Sequence, residues 1–540
     1  MKLRLKRYIV LVSLFLPLIV CRGAGDKRPN IVVILVDDMG FSDIGCYGSE
    51  IATPNIDRLA QQGLRFTRFY NTAKCFPSRA CLLTGQYAQH VGMSEKPLAF
   101  KNAATIAEIL RSAGYRTLMT GKHHGEENPR QFGFDRYYGL MDGACNYFNP
   151  GQRRSGEPAP ASKKGDFATR KWAIDDNEYE PYTPPEKDFY TTDYFTNYAL
   201  RYLDEYKGEG KPFFLYLAYN APHEPLMAWP SDIKKYLGKY LVGYEAIRKR
   251  RYERQLELGL WDKTFSLSAP TYEKWDALSA EEKTARDAIM ATYAAMIDRV
   301  DQNIGRLLRK LEELHELDNT LIFFMSDNGA QAVADPNVWL WARGKDSDPN
   351  EPIGSVGRFT SFNLSWANVS NTPFRYYKAY SHEGGIATPL IVWGKRQISQ
   401  PGSITNFPAH LIDILPTILQ ITGARYPAKN AKNELVNPLD GISLAPLLEG
   451  RRPAENRPLF WQWAKGMAIR KGQWKLVSDD YEPWELYDFP RDQTENDDVV
   501  DEYPQIAREL KRDWEQWIGP LKPSPSQAKS GKRASVTREP

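Results

Sequence analysis

The sequence predicts an α/β protein: a large, mostly parallel mixed sheet sandwiched by helices, followed by a smaller C-terminal α+β domain on a short antiparallel sheet. Three observations carry this reading. Several short apolar runs are continuous rather than alternating, as strands buried on both faces are. Helical patterns lie between those runs, as in βαβ units. Beyond residue 423 the chain turns to short, turn-punctuated runs and one closing helix.

The elements follow in chain order. Met1–Arg7 is basic, Tyr8–Val20 is apolar, and Cys-Arg-Gly-Ala-Gly follows. This is the layout of a secretory signal peptide over residues 1–23, and it falls short of a membrane span of about 20 apolar residues. Export to the periplasm or outside the cell is expected, with no membrane span. Lipid anchoring through Cys21 is the less favoured alternative, because Val20 is bulky where a small residue is usual. Ile31–Val36, Thr117–Thr120, Phe213–Ala218, Thr320–Met325 and Pro389–Trp393 read as buried parallel strands. Thr53-Pro54 opens a helix as N-cap and first residue, and Gly63 ends it. Ala104–Ala113 is a second helix, stopped by Gly114. Asp193–Tyr206 and Ala288–Leu317 are further helices, the latter with Ile297, Ile304, Leu307, Leu308 and Leu311 on one face.

Residues 149–187 are rich in Pro, Gly and charge and read as a surface excursion. Arg248–Arg254 reads as a solvated helix face. The main domain is assigned to 24–455. The C-terminal domain, 456–519, carries strands at Leu459–Trp463, Met467–Ile469, Trp474–Val477 and Leu486–Phe489 and a helix at Pro504–Ile518. Residues 520–540, rich in Pro, Ser and Lys, read as a disordered basic tail.

The formal charge of +4 is concentrated at the two ends. Five basic residues and no acid lie in 1–23, and five basic residues stand against Glu539 from Lys522 onward. The body between them is net acidic, which argues against nucleic-acid binding. Five cysteines, at 21, 46, 75, 81 and 145, are too few for a disulfide scaffold and lack zinc-ligand spacing.

Chemistry gathers at the strand ends. Ile31–Val36 runs into Asp37-Asp38, and Thr320–Met325 into Ser326-Asp327-Asn328-Gly329. The strand near Leu118 ends in Gly121-Lys122-His123-His124, and Phe213–Ala218 ends in Tyr219-Asn220-Ala221-Pro222-His223. In an open parallel sheet, ligands bind at the carboxyl ends of the strands. Asp37, Asp38, Asp327 and Asn328 offer only oxygen ligands, the set that suits Ca²⁺, with Mg²⁺ as the alternative.

Cys75-Phe76-Pro77-Ser78-Arg79, followed by Leu82-Leu83-Thr84-Gly85, resembles the signature of the formylglycine-dependent sulfatases, the arylsulfatase-type branch of the alkaline-phosphatase-like superfamily. The remaining motifs stand in the family's order, through Asn371–Arg375, Lys378, His382-Glu383-Gly384-Gly385 and Leu486-Tyr487-Asp488. The resemblance spans nearly the whole mature chain and makes 24–455 the catalytic domain. It implies a sulfuric ester hydrolase that cleaves carbohydrate or aryl sulfate monoesters to alcohol and sulfate.

In the family's mechanism Cys75 is oxidised to formylglycine by a maturation enzyme. The hydrated aldehyde attacks sulfur through one hydroxyl, and its second hydroxyl expels sulfate. The cation, ligated by Asp37, Asp38, Asp327, Asn328 and the modified Cys75, lowers the pKa of the attacking hydroxyl. Arg79 and Lys122 would hold the formylglycine oxygens and the sulfate charge. His124 would act as base in sulfate release, and His223 with Lys378 would bind sulfate oxygens and help protonate the leaving group. The family often reads Gly-Lys-Trp-His where this chain has Gly121-Lys122-His123-His124, so His123 is the alternative to His124.

Trp339, Trp341 and Arg343 are candidates for stacking on a sugar or aryl ring, and His382 for lining the pocket, with capping as its alternative role. Two other readings compete. One is a phosphate or phosphonate ester hydrolase of the same superfamily, and the other a catalytically dead protein that binds sulfated glycans.

Overall fold

The computed structural model describes residues 28–162, 170–332, 347–455, 457–480 and 483–519. The signal segment with Cys21, the tail 520–540, and Trp339, Trp341 and Arg343 lie outside the described residues.

In chain order the strands are β1 (Asn30–Val36), β2 (Leu64–Tyr70), β3 (Arg116–Gly121), β4 (Arg136–Leu140), β5 (Trp172–Ile174), β6 (Asn177–Tyr179), β7 (Phe213–Ala218), β8 (Thr320–Ser326), β9 (Ala387–Trp393), β10 (Ile404–Thr405) and β11 (Ala409–His410). They form one sheet in the order β10-β2-β9-β8-β1-β7-β3-β4-β5-β6, with β11 also on β2. Its middle, β8-β1-β7-β3-β4, is parallel throughout. Ile31, Val33 and Leu35 of β1 enter one hydrophobic core, and Val32, Ile34 and Val36 enter the other. A strand that feeds two cores has no polar face, which is why its sequence is apolar without alternation.

The run Pro389–Trp393 was expected to be parallel, and that expectation is corrected. As β9 it is antiparallel to both β8 and β2. A continuous apolar run reports burial on both faces and carries no direction. Strands β2 and β4 were not foreseen. Both carry arginines, which weaken the apolar signal.

The first helices are α1 (Pro54–Gln62), α2 (Cys75–Thr84), α3 (Ile106–Ser112) and α4 (Thr191–Tyr206), and α1, α3 and α4 lie at or near their expected positions. Thr105 and Glu108 form a capping box that fixes the start of α3. The long helix spans Ala280–Glu313 and starts earlier than its apolar face suggests, because Ser279 and Glu282 form a second capping box. The excursion at 149–187 contributes the β5–β6 hairpin at the sheet edge.

Arg248–Arg254 lies in the helix Tyr244–Glu257, but it is not wholly solvated. Arg248 and Arg251 are buried. Arg251 donates to Asp43 at 2.6 Å and to Glu50 at 2.8 and 2.9 Å. Arg248 donates to the Ser268 carbonyl and hydroxyl. These acceptors, more than 13 residues away in sequence, are what make burial tolerable.

Strands β12 (Leu459–Trp463), β13 (Gly466–Lys471), β14 (Trp474–Ser478) and β15 (Glu485–Asp488) form the antiparallel C-terminal sheet, in that order. The helix Pro504–Ile518 packs on it through Ala507, Leu510, Trp514 and Ile518. This unit is fastened to the main sheet from within. Lys475 donates to Glu383 at 2.8 Å and to Glu495 at 2.7 Å, and Trp461 Nε1 donates to the Asn71 carbonyl at 2.7 Å.

Candidate active site

Strand register brings the acidic residues together. Val36 of β1 is the partner of Ser326 in β8, so Asp37 and Asp327 leave the sheet side by side. On the other flank Leu35 pairs with Ala218, and Ala218 with Gly121, which delivers Lys122 to the same edge. Gly121 has φ +110°, and a Cβ there would stand 1.8 Å from the Ala218 carbonyl oxygen, so that edge accepts only glycine. A Cβ on Gly329 would meet the Gly384 carbonyl at 1.9 Å. This close approach ties the Asp327-Asn328-Gly329 motif to the Glu383-Gly384-Gly385 motif.

All ten residues of α2 are buried, with Cys75 in its first turn. Ser78 Oγ accepts from Thr72 N at 3.0 Å and bonds Thr72 Oγ1 at 2.8 Å, closing the turn that leads into the helix. Arg79 reaches beneath the acidic cluster. It donates from Nε and Nη2 to Asp327 Oδ2 at 3.0 and 2.8 Å, and from Nη1 to the Lys122 carbonyl at 2.7 Å.

Each carboxylate accepts hydrogen bonds from a basic side chain through one oxygen, and Arg79 Nη2 also stands 3.8 Å from Asp37 Oδ1, beyond hydrogen-bond reach. Lys122 Nζ donates to Asp37 Oδ2 at 2.5 Å, and Lys378 Nζ donates to Asp38 Oδ1 at 2.6 Å. Asn328 Nδ2 also donates to Asp38 Oδ1, at 2.6 Å. What remains is a set of buried oxygens with no hydrogen-bond donor: Asp37 Oδ1, Asp38 Oδ2 and Asn328 Oδ1. Orphaned buried acceptors are costly, and a hard cation is the partner that suits three oxygens at once. Asp327 Oδ1 takes only a long bond, 3.3 Å, from Asp38 N. The donor set therefore fits a divalent cation.

His223 points into this cluster. Its Nδ1 lies 2.6 Å from the Glu224 carbonyl, which requires a proton there and leaves Nε2 as the acceptor of the neutral ring. Nε2 stands 3.5 Å from Asp38 Oδ2. Ligand atoms of Asp37, Asp38 and His223 lie within 4.8 Å of one another. Burial lowers the pKa of His223 against the pull of Asp38, and Lys378 and Lys122 help bring it down to about 4. Burial raises Asp37 and Asp327. Lys378 and His223 outweigh burial at Asp38 and hold it ionised. Burial opposes the thiolate of Cys75, but Lys122, Lys378 and Lys74 prevail and lower its pKa to about 7.

A cavity of about 620 Å³ opens above these groups. Cys75, His124, His223 and Lys378 line it, together with Lys74, Asp142, Arg170, Lys171 and Gln331. Of the adjacent pair His123-His124, His124 lines the cavity, its ring 5.6 Å from that of Phe76. His123 turns away and packs against Phe132 at 5.0 Å. Arg79 and Lys122 do not line the cavity and bear on it through the carboxylates they hold.

The chain matches the sulfatase family model over residues 29–424. The chain belongs to the sulfatase family. An uncharacterised sulfatase of Schizosaccharomyces pombe is 34% identical, over 91% of this chain and 94% of that one. The arylsulfatase of Klebsiella aerogenes is 32% identical, over 78% of this chain and 92% of its own. Among solved structures, Ps i-CgsB in complex with k-i-k-neocarrahexaose superposes with a TM-score of 0.65 at 26% identity, covering 92% and 94% of the two chains. This sulfatase is thus a sulfuric ester hydrolase of the mixed α/β architecture.

One pocket assignment is corrected. His382 does not line the cavity of this sulfatase. It is buried as the N-cap residue of the short helix Glu383–Ile386, and its Nε2 lies 2.9 Å from Glu485 of the C-terminal sheet. Lys74, Gln331 and the Arg170-Lys171 pair were missed as cavity residues. Lys74 stands beside Cys75 in sequence and could have been found. The others come from loops whose composition carries no signal.

Proposed function

We propose that this sulfatase is exported, that Cys75 is converted to formylglycine by a maturation enzyme, and that it hydrolyses carbohydrate or aryl sulfate monoesters with one bound divalent cation. Ca²⁺ is the expected ion and Mg²⁺ the alternative. Asp37, Asp38, Asp327, Asn328 and the modified residue 75 would hold it. The basic and then apolar opening of the chain supports export. The observation that carries the chemistry is Cys75 lining the cavity, in the first turn of a buried helix, beside three buried oxygens that no hydrogen bond satisfies.

When present, the hydrated aldehyde supplies an oxygen nucleophile, and the cation supplies the positive charge that acidifies it. The chain's own groups do the rest. The N-terminus of α2 directs its free N–H groups and positive dipole end toward an anion at residue 75. Lys378 lines the cavity beside Asp38 and is placed to hold a sulfate oxygen. His223, neutral with Nε2 toward the cluster, can take a proton there and deliver it to the leaving oxygen. His124 is half-buried, and desolvation together with the charges of Lys122, Arg79 and Lys74 holds it neutral, as a base must be. The net reaction takes one ester and one water to alcohol, sulfate and a proton.

The test is mass spectrometry of the residue-75 peptide alongside turnover of aryl sulfate and aryl phosphate. An aldehyde at position 75, with sulfate turnover that Cys75→Ala abolishes, is the expected result. Full activity with an unmodified thiol, or preference for phosphate, overturns the reading.

A further inference from the structure

Lys74 occupies a position where local physics disfavours a cation. It is the N-cap residue of α2, where Ser, Thr, Asp or Asn is preferred and the helix dipole repels positive charge. It is half-buried, and burial lowers its pKa, with Lys378 adding repulsion. Arg79, Lys122 and Lys378 each have a carboxylate, whereas among the described residues no carboxylate lies within ion-pair distance of Lys74. Among the described residues its ammonium meets a ring: Nζ lies 5.7 Å from the centroid of Trp463, at the end of β12. Trp463 is itself braced on Phe76 at 5.3 Å. An ammonium held against an aromatic wall, with Asp38 and Cys75 acting on it only from a distance and no carboxylate in direct contact among the described residues, is an incomplete ion pair.

Its place relative to Cys75 says what completes it. Asp37, Asp38 and Asp327 balance Arg79, Lys122 and Lys378. A divalent cation added to that neutral set already exceeds the single charge of a sulfate monoester. Lys74 is surplus to the scissile group. It also lies further out, half-buried above the buried Cys75, on the same cavity wall system that carries the exposed Lys171. Groups at that level face the part of the substrate that leaves as the alcohol.

We propose that Lys74 binds a second anionic group on the leaving-group side of the substrate, a carboxylate or a further sulfate, and so selects multiply charged esters. This inference rests on the sulfatase reading above and narrows its substrate class.

The experiment compares wild type with Lys74→Met and Lys74→Arg, each normalised to its aldehyde content at position 75. The substrates are nitrophenyl sulfate, the same aryl sulfate bearing a carboxylate, and a sugar monosulfate beside its disulfate. Loss of one charge-assisted contact predicts that Lys74→Met raises KM for the doubly charged esters roughly tenfold or more, with kcat nearly unchanged. KM for the singly charged esters should stay within about twofold, and Lys74→Arg should retain most of the preference. The carboxylate and disulfate arms show which anion is read. Equal loss on all substrates would assign Lys74 to the scissile sulfate, and no loss on any would leave it without a substrate role; either result overturns the proposal. If neither variant matures, wild type decides. Its KM for doubly charged esters must rise more steeply with salt than for singly charged ones, and parallel dependence overturns the proposal. Wild type with full aldehyde and no sulfate turnover sinks the underlying sulfatase reading instead.

Discussion

Arg79 and Asp327 are joined by two hydrogen bonds to a single carboxylate oxygen, and both side chains are buried. The arrangement leaves the other oxygen of Asp327 turned toward Asp38. Arg79→Ala should strand a buried carboxylate and cost about 3–5 kcal/mol of stability. Arg79→Lys keeps the charge but not the fork, and should fold while losing most turnover. Chemical denaturation and aryl sulfate kinetics check both. An Arg79→Lys enzyme with wild-type kcat would show that the fork has no positioning role.

Cation removal is expected to act on stability as well as rate. Ligand that binds only the folded state stabilises it by about 2.7 kcal/mol at a hundredfold excess over Kd. Chelated protein should therefore unfold at a lower temperature, and Ca²⁺ or Mg²⁺ should restore it. Asp37→Asn should weaken that response, because Asp37 Oδ1 is one of the unpaired oxygens. An unfolding temperature indifferent to both ions would remove the cation from the site.

The proton of His223 gives a pH signature. With its pKa lowered to about 4 in the free protein, the imidazolium is lost as pH rises through that value. For alkyl and sugar sulfates, kcat/KM should fall as pH rises past about 4 or below, since it reports the free enzyme and a cation beside Asp38 lowers the pKa of His223 further. Bound sulfate is negative and favours the imidazolium, so the descending limb of kcat should lie at higher pH. Nitrophenyl sulfate, whose leaving group needs little protonation, should show both effects weakly. Identical profiles for the two substrate classes would take the leaving-group proton away from His223.

Lys475 holds two buried carboxylates, Glu383 of the catalytic domain and Glu495 beyond β15. Lys475→Met should destabilise the protein by about 3–5 kcal/mol by leaving them unpaired. Combining it with Glu383→Gln and Glu495→Gln should recover much of that loss. Denaturant midpoints measured on the single and triple variants decide the matter. Loss of comparable size in both would point to packing in place of charge.

The sheet centre was legible because burial on both faces leaves an unmistakable apolar run, as in β1, β7 and β8. The site was legible because its chemistry sits at the ends of those runs, where Asp37, Lys122, His223 and Asp327 follow directly. Direction was not legible: β9 is as apolar as β8 and runs against it. Nor was the burial of Arg251, which depends on Asp43 and Glu50 some 200 residues away. His382 was misplaced for the same reason, since its partner Glu485 lies about 100 residues on, in the C-terminal sheet. What local pattern cannot express is a partner supplied by distant chain.

The complete burial of α2 also sets a clock. Its walls include the turn Leu411–Asp413, the helix Ile414–Thr422 and the Trp463 hairpin, all made long after Cys75 leaves the ribosome. Lys378 alone trails Cys75 by about 300 residues, or about 15–60 s at 5–20 residues per second. Until those segments arrive, the Cys75 thiol is held by a chain that cannot yet close over it. Any enzyme acting on that thiol has at least this interval, and faster translation would shorten it.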